Sequence, residues 1–99
     1  MTKRVLIEAR DLFFRSKLQG LVQAAGASAT RDEPFDIAVV ELGKTGVDDR
    51  IRELVKAGTP VLAFGSHVNA KELRAARELG ARAVPNSEVE SALRALLES

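Results

Sequence analysis

The segment that most constrains the fold is the nearly continuous apolar run of residues 36–42, with the sequence DIAVVEL. Such a run is typical of a parallel strand buried on both faces, because a strand with one solvated face alternates apolar and polar residues. The run delivers a carboxylate, Glu41, at its carboxyl end. Ligands bind at the carboxyl ends of strands in open α/β sheets, so Glu41 is predicted to stand where a reactive or binding group would stand.

Helix-capping residues and a proline divide the rest of the chain into alternating strands and helices. Asp11, Asn69 and Ser87 each precede an amphipathic segment, and a capping-box acid follows the latter two at Glu72 and Glu90. The predicted strands are residues 5–9, 27–30, 36–42, 60–64 and 82–84, and the predicted helices begin near residues 12, 47, 70 and 88. Residues 31–35 contain a proline and are too few for a helix, so they are predicted to form a loop.

This alternation predicts an α/β fold in one domain, residues 1–99. Helices must cover both faces of a buried parallel sheet, which gives a three-layer α/β/α sandwich. A chain of 99 residues has room for a single core.

Composition excludes several classes of function. The net charge is +1, with the basic residues spread along the chain, so we expect no nucleic-acid or membrane partner. The chain has no cysteine, which excludes disulfides, zinc–thiolate sites and a cysteine nucleophile. No signal peptide or membrane-spanning run is visible, and we expect a cytoplasmic location.

The order and spacing of four stretches resemble the receiver domain of bacterial two-component response regulators. These stretches are residues 3–11, 36–42, 59–67 and 80–87. The resemblance covers nearly the whole chain and implies a flavodoxin-like sheet of five parallel strands in the order 2-1-3-4-5. It departs at residues 30–36, where the family has its second helix, so that helix is expected to be missing or reduced.

Five functional positions of active receivers can be assigned from the resemblance. Glu41 falls at the phosphoacceptor aspartate, and Ala9 and Arg10 fall at the acid pair that binds magnesium. Gly65 falls at the switch threonine or serine, and Ser87 falls at the lysine that contacts the phosphoryl group. None of the five residue types is retained.

These substitutions predict a pocket without a metal or another cofactor. Magnesium prefers carboxylate oxygens, and a methyl group and a guanidinium replace its acid pair. We hypothesise that the Arg10 guanidinium takes the place of the metal and pairs with Glu41. In the alternatives, Arg10 points to solvent or pairs with Glu8.

Two other polar groups near this edge have weaker functional interpretations. Ser66 and His67 follow the fourth strand and are possible rim or ligand contacts, but the sequence has no nucleophile elbow around them. The segment 43–46, GKTG, lacks the spacing of a phosphate loop and is interpreted as a turn.

The sequence therefore predicts a degenerate, non-phosphorylatable receiver-like module for signalling or protein interaction, and not an enzyme. The alternative is a small-ligand or nucleotide-binding domain that uses the crevice at the strand carboxyl ends. A protein partner or a second copy of the chain is expected to bind, either on apolar sheet surface near Ala27 to Thr30 or on the face formed by the last two helices and the last strand.

Overall fold

The apolar run 36–42 forms the central strand of a five-stranded parallel sheet in the computed structural model, which describes residues 2–99. The sheet order is β2-β1-β3-β4-β5, as predicted. The strands are β1 (Arg4–Glu8), β2 (Ser28–Ala29), β3 (Ile37–Glu41), β4 (Val61–Gly65) and β5 (Arg82–Pro85).

Four α-helices cover this sheet in the described part of the chain. They are α1 (Leu12–Ala24), α2 (Val47–Lys56), α3 (Ala70–Glu78) and α4 (Val89–Glu98), and a 3₁₀ turn (Asn86–Glu88) leads into α4. The molecule has the predicted three-layer architecture, because alternate residues of each strand point to opposite faces and both faces are apolar.

Each face of the sheet has its own core. On the face of α1 and α4, Val5 and Val39 pack with Phe64 and with helical residues such as Leu18 and Leu93. The core on the face of α2 and α3 is built from these buried residues: Leu6, Phe35, Ala38, Val40, Leu42, Ile51, Leu54, Val61, Ala63, Leu73, Ala76, Ala81 and Ala83. The central strand β3 therefore contributes to both cores, which explains its unbroken apolar run.

Of the three predicted side-chain caps, one is present in the structure and two are not. The carboxylate of Asp11 accepts hydrogen bonds from the N–H groups of Phe13 and Phe14 at 2.9 and 3.2 Å, as expected for a cap. Asn69 is the N-cap residue of α3, but its side chain makes no capping hydrogen bond. Ser87 does not cap α4, because the 3₁₀ turn moves the N-cap to Glu88.

The connection from β2 to β3, residues 30–36, is a loop held by Arg4. The Arg4 side chain donates to the carbonyls of Pro34 and Asp32 at 2.9 and 2.7 Å, and its N–H donates to the Asp36 carboxylate at 2.7 Å. Phe35 is only 9% exposed and belongs to the core on the α2 side. A single aromatic side chain of the loop therefore covers sheet surface that would otherwise face water.

The sheet edge near Ala27 to Thr30 is exposed at β2, but it presents no large apolar side chain. The outward-facing residues there are small, and Phe35 packs on the sheet nearby. The large apolar side chains that are exposed in residues 2–99 are Leu12, Phe13 and Val68. Within the same residues, no helix has the length and apolar character needed to cross a membrane.

Candidate functional site

Glu41 stands at the carboxyl end of β3, and main-chain N–H groups bind its carboxylate. Its Oε1 accepts hydrogen bonds from the N–H groups of Arg10 and Asp11 at 2.7 and 3.1 Å. Both donors lie where the chain leaves β1 and turns into α1. The side chain is half-buried, and these two amides replace part of the hydration that it loses.

The Arg10 guanidinium does not pair with Glu41, so the leading hypothesis for this residue is wrong. The ion pairs in the described part of the chain are Lys17–Glu90, Arg50–Glu8, Arg50–Glu53 and Arg52–Asp49. Arg10 is exposed, which agrees with the alternative that it points to solvent. The amides of the β1–α1 turn already reach the carboxylate, and fixing them costs none of the entropy of a long side chain.

Glu8 pairs instead with Arg50 of α2, in a contact that joins strand to helix. Arg50 Nε lies 3.2 and 3.0 Å from the two carboxylate oxygens of Glu8, and a terminal nitrogen lies 2.9 Å from Oε2. The hydrogen bonds that Arg50 donates to Glu8 raise the pKa of Arg50, against a smaller lowering effect of burial. From the sequence, Glu8 was considered only as a partner of Arg10, so its pairing with Arg50 was not predicted.

The pair could have been found from the pattern of the sequence. Glu8 is two residues beyond the buried Leu6 and so shares its face of the sheet. Arg50 is one helical turn before the buried Leu54, next to the inward stripe of α2.

The remaining predicted site residues lie at the same edge of the sheet but are not brought together with Glu41. Gly65 ends β4, and a side chain there would begin 3.3 Å from Cβ of Leu42. Ser87 is exposed in the 3₁₀ turn, and His67 is exposed in the β4–α3 loop. The Ser66 hydroxyl accepts only a long, 3.4 Å hydrogen bond from the N–H of Val68.

The residues of this edge do not fit a magnesium ion. Within residues 2–99, no three acidic or histidine side chains are grouped closely enough to hold a metal. Ala9 offers a methyl group, Arg10 adds a positive charge, and Oε1 of Glu41 already accepts two hydrogen bonds. Oxygen ligands, chiefly carboxylates, are what magnesium requires from a protein.

A cleft of about 450 Å³ opens beside this edge, between the carboxyl ends of β1 and β3 and the start of α2. It lies at the point where the strand order reverses, since β1 connects outward to β2 and β3 connects towards β4. Of the predicted site residues, Ala9, Arg10 and Glu41 line it, and Gly65, Ser66, His67 and Ser87 do not. The full lining is Leu6, Ile7, Glu8, Ala9, Arg10, Arg31, Val40, Glu41, Lys44, Thr45, Gly46, Val47 and Arg50.

Solved response-regulator structures have the same fold as this chain. A response regulator from Thermotoga maritima superposes with a TM-score of 0.79 over all of both chains, at 13% sequence identity. A response regulator receiver protein from Pseudomonas putida gives 0.80 over 99% of this chain and 97% of that chain, at 14% identity. An orphan response regulator of H. pylori gives 0.76 over 96% of both chains, at 15% identity.

Sequence comparisons alone find no relatives. No protein-family model matches the chain, and no curated protein matches it. The chain therefore has the fold of a response-regulator receiver domain, as the four matching stretches predicted, with sequence identities too low to carry a function across.

Proposed function

We propose that this receiver-like domain is a non-phosphorylatable module that acts by binding another protein. The observation that supports this most strongly is the state of the Glu41 carboxylate. Its Oε1 accepts hydrogen bonds from the N–H groups of Arg10 and Asp11. The two positions after β1 that correspond to the magnesium-binding acids of active receivers hold Ala9 and Arg10.

The chemistry of phosphoryl transfer explains why these differences matter. Such transfer depends on positioning and on cations that neutralise the charge developing on the phosphoryl oxygens. The edge lacks a fitting magnesium site, Gly65 brings no hydroxyl group, and the exposed Ser87 brings no ammonium group. We therefore infer that the domain is not an enzyme and does not accept a phosphoryl group.

The packing around Gly65 supports a single fixed conformation. A Cβ at this position would lie 3.3 Å from Cβ and 3.5 Å from Cδ1 of Leu42, which is tight contact. A switch hydroxyl therefore has little room unless Leu42 moves. We infer that partner binding does not depend on a phosphorylation-driven change at this position.

Incubation with acetyl phosphate and magnesium, followed by intact-mass measurement, tests the phosphorylation part of this proposal. The expected result is no phosphoryl adduct, whereas an active receiver treated in parallel gains one. A magnesium-dependent adduct on this chain would contradict the proposal, and its disappearance in Glu41→Gln would locate it.

Exposed apolar side chains at the start of α1 support a partner surface there. Leu12 and Phe13 are 67% and 63% exposed. The Phe13 ring meets Phe14 edge-on with centroids 5.9 Å apart, and Lys17 Nζ lies 4.7 Å from its centroid. An aromatic ring held in this way by its neighbours is a suitable anchor for a protein interface.

The face formed by α3, β5 and α4 is the competing surface, and self-association is the simplest form of either interaction. Light scattering over a dilution series measures self-association for the wild type and for two variants. Leu12→Ser/Phe13→Ser changes the start of α1, and Lys71→Ser/Arg74→Ser changes the competing surface on α3. Loss of the dimer in the first variant alone assigns it to the start of α1, and loss in the second alone assigns it to α3.

A clean monomer at all concentrations would contradict self-association. The proposal then depends on a different protein partner, whose capture must be lost in one of the same two variants. We also propose that the domain acts in the cytoplasm, as expected from the sequence.

A further inference from the structure

We propose that the cleft between β1, β3 and α2 binds a small phosphate-bearing molecule. This inference concerns reversible binding of a phosphorylated small molecule and is independent of phosphorylation at Glu41. It rests on the shape of the cleft, on its charges and on the contacts that already engage its two carboxylates.

The shape of the cleft follows from the short connection between β2 and β3. Residues 30–36 pass from one strand to the next as a loop, so no helix of that connection covers the end of β1 next to α2. Arg31 of this loop reaches the cleft, whose floor includes the buried Leu6 and Val40. Its volume of about 450 Å³ lies within the range of small-molecule sites.

The charges that line the cleft favour an anion. Four basic residues and two acidic residues line it, which leaves an excess of two positive charges: Arg10, Arg31, Lys44 and Arg50 against Glu8 and Glu41. A concave site with one dominant sign of charge concentrates ligands of the opposite sign.

Both carboxylates in the cleft are already engaged. Glu8 is held by Arg50 in a two-pronged ion pair, and Oε1 of Glu41 accepts the N–H groups of Arg10 and Asp11. In residues 2–99, the side chains of Arg10, Arg31 and Lys44 have no acidic partner. Three basic residues on separate segments therefore line one cleft, with no acidic partner among residues 2–99.

A small phosphate-bearing molecule fits these features better than a polyanion does. Phosphate groups suit arginine and lysine, and a dianion would neutralise the excess charge of the lining. The chain as a whole carries a net charge of +1, which gives little attraction for nucleic acid. The neighbouring groove along α2 and α3 is lined by three acidic and three basic residues, so its lining has no excess positive charge to attract an anion.

Titration calorimetry with adenosine monophosphate, pyrophosphate and adenosine distinguishes the possible ligand chemistries. The proposal expects saturable binding of at least one phosphorylated probe and no binding of adenosine. Raising the ionic strength from about 0.1 M to about 1 M shortens the Debye length from about 10 Å to about 3 Å and should weaken binding several-fold. Absence of binding by both phosphorylated probes at millimolar concentration overturns the proposal.

Removal of two cleft charges provides the matched test. Arg31→Gln/Lys44→Gln should weaken binding at least tenfold, and Arg74→Gln/Arg82→Gln, which removes two exposed charges outside the cleft, should change it less than twofold. Equal weakening in the two variants overturns the site. Unfolding curves of both variants show whether the fold is kept, and Arg31→Lys, which keeps the charge, should retain most of the affinity.

Nuclear magnetic resonance gives an independent location. The amide signals of residues 8–10, 31 and 44–47 should shift on addition of the bound probe. Shifts confined to α3 and β5 overturn the proposal, as does binding of a single-stranded oligonucleotide with no binding of the mononucleotide.

Discussion

A carboxylate at the end of a buried strand must recover the hydration that it loses, and Glu41 recovers it from main-chain amides. The N–H groups of Arg10 and Asp11 donate to one oxygen of its side chain. The Glu41 charge is thereby stabilised by main-chain amides and not by the Arg10 guanidinium. At the scale of single residues, this contact is the observation on which the proposal of a non-phosphorylatable edge depends.

Replacement of Glu41 should be destabilising in proportion to the hydrogen bonds that it removes. Glu41→Gln keeps an acceptor oxygen and should cost less than about 1 kcal/mol, whereas Glu41→Ala leaves two N–H groups without their partner and should cost about 1–2 kcal/mol. Urea unfolding measures both, with the exposed Glu78→Ala as the control. Arg10→Gln should leave the free energy of unfolding unchanged within about 0.5 kcal/mol, and a larger loss would contradict the arrangement.

Substitution of Gly65 tests the lack of space at the end of β4. Gly65→Thr should cost about 1–3 kcal/mol, because its Cβ meets Leu42 at 3.3 Å and its branches add to the overlap. The cost should fall by at least about 0.5 kcal/mol in a Leu42→Ala background, where part of the neighbouring side chain is gone. Identical costs in the two backgrounds, measured by urea unfolding, would show that Leu42 does not limit the position.

At the scale of elements, the connection between β2 and β3 determines what the α2 face of the sheet can do. Arg4 fastens this loop through three hydrogen bonds, and Phe35 fills the space over the sheet. The loop covers the core while leaving the carboxyl end of β1 open towards α2. Because this connection is a short loop and not a helix, the cleft stays open and Arg31 lies at its rim.

Truncation of Phe35 should show that the loop is part of the core. Phe35→Ala removes a ring that is only 9% exposed and should lower the free energy of unfolding by about 3 kcal/mol. Pro34→Ala, at an exposed neighbouring position, should cost less than about 1 kcal/mol. Equal effects in chemical unfolding would mean that the loop does not contribute its aromatic side chain to stability.

The Glu8–Arg50 pair couples β1 to α2, and a double-mutant cycle measures that coupling. The variants Glu8→Gln and Arg50→Gln and their combination should give a coupling of about 1 kcal/mol, because the pair is two-pronged but about one-third exposed. The more exposed pair Lys17–Glu90, at 3.5 Å, should give a coupling close to zero. Coupling free energies of the same size would contradict the larger contribution expected from the Glu8–Arg50 pair.

The pH dependence of this coupling follows from the raised pKa of Arg50. A cation whose pKa is higher in the folded state contributes its stability fully below the unfolded-state pKa and loses it only as the pH rises through the folded value. The ordinary pKa of arginine already lies far above neutral pH and the contact with Glu8 raises the pKa of Arg50 further, so the Arg50 contribution should be constant through the neutral range. A loss of this contribution between about pH 6 and about pH 9 in the same cycle would contradict the assignment.

At the scale of the whole molecule, the fold was predictable and the site was predictable only in part. Buried runs such as residues 36–42 and the cap at Asp11 carry their meaning in local sequence, so the element order followed from them, whereas the sheet order followed from the resemblance to receiver domains. The donors to Glu41 are main-chain amides, which no residue type reveals. The 3₁₀ turn before α4, which moved the cap from Ser87 to Glu88, and the meeting of Arg31 with Arg50 at one cleft depend on tertiary placement.

Acidic residues introduced at positions 9 and 10 should give the whole molecule a response to magnesium. Ala9→Asp/Arg10→Asp places two carboxylates next to Glu41, and millimolar magnesium should then raise its melting temperature through binding to the folded state. Ser16→Asp/Arg74→Asp makes the same change in net charge at exposed positions and should not respond. A magnesium response of equal size in the wild type or in this control would contradict the role assigned to positions 9 and 10.

The two ends of the described chain are fastened side by side. The Lys3 ammonium group donates to the carbonyls of Leu96 and Leu97, at 3.1 and 3.2 Å, where the last turn of α4 leaves main-chain acceptors free. One lysine side chain thus spans the gap between the first strand and the last helix. Because residue 3 lies next to the last turn of α4, a short glycine–serine linker should be able to join these two segments. A circular permutant with new termini in an exposed turn such as residues 43–46 should then keep the same order of layers.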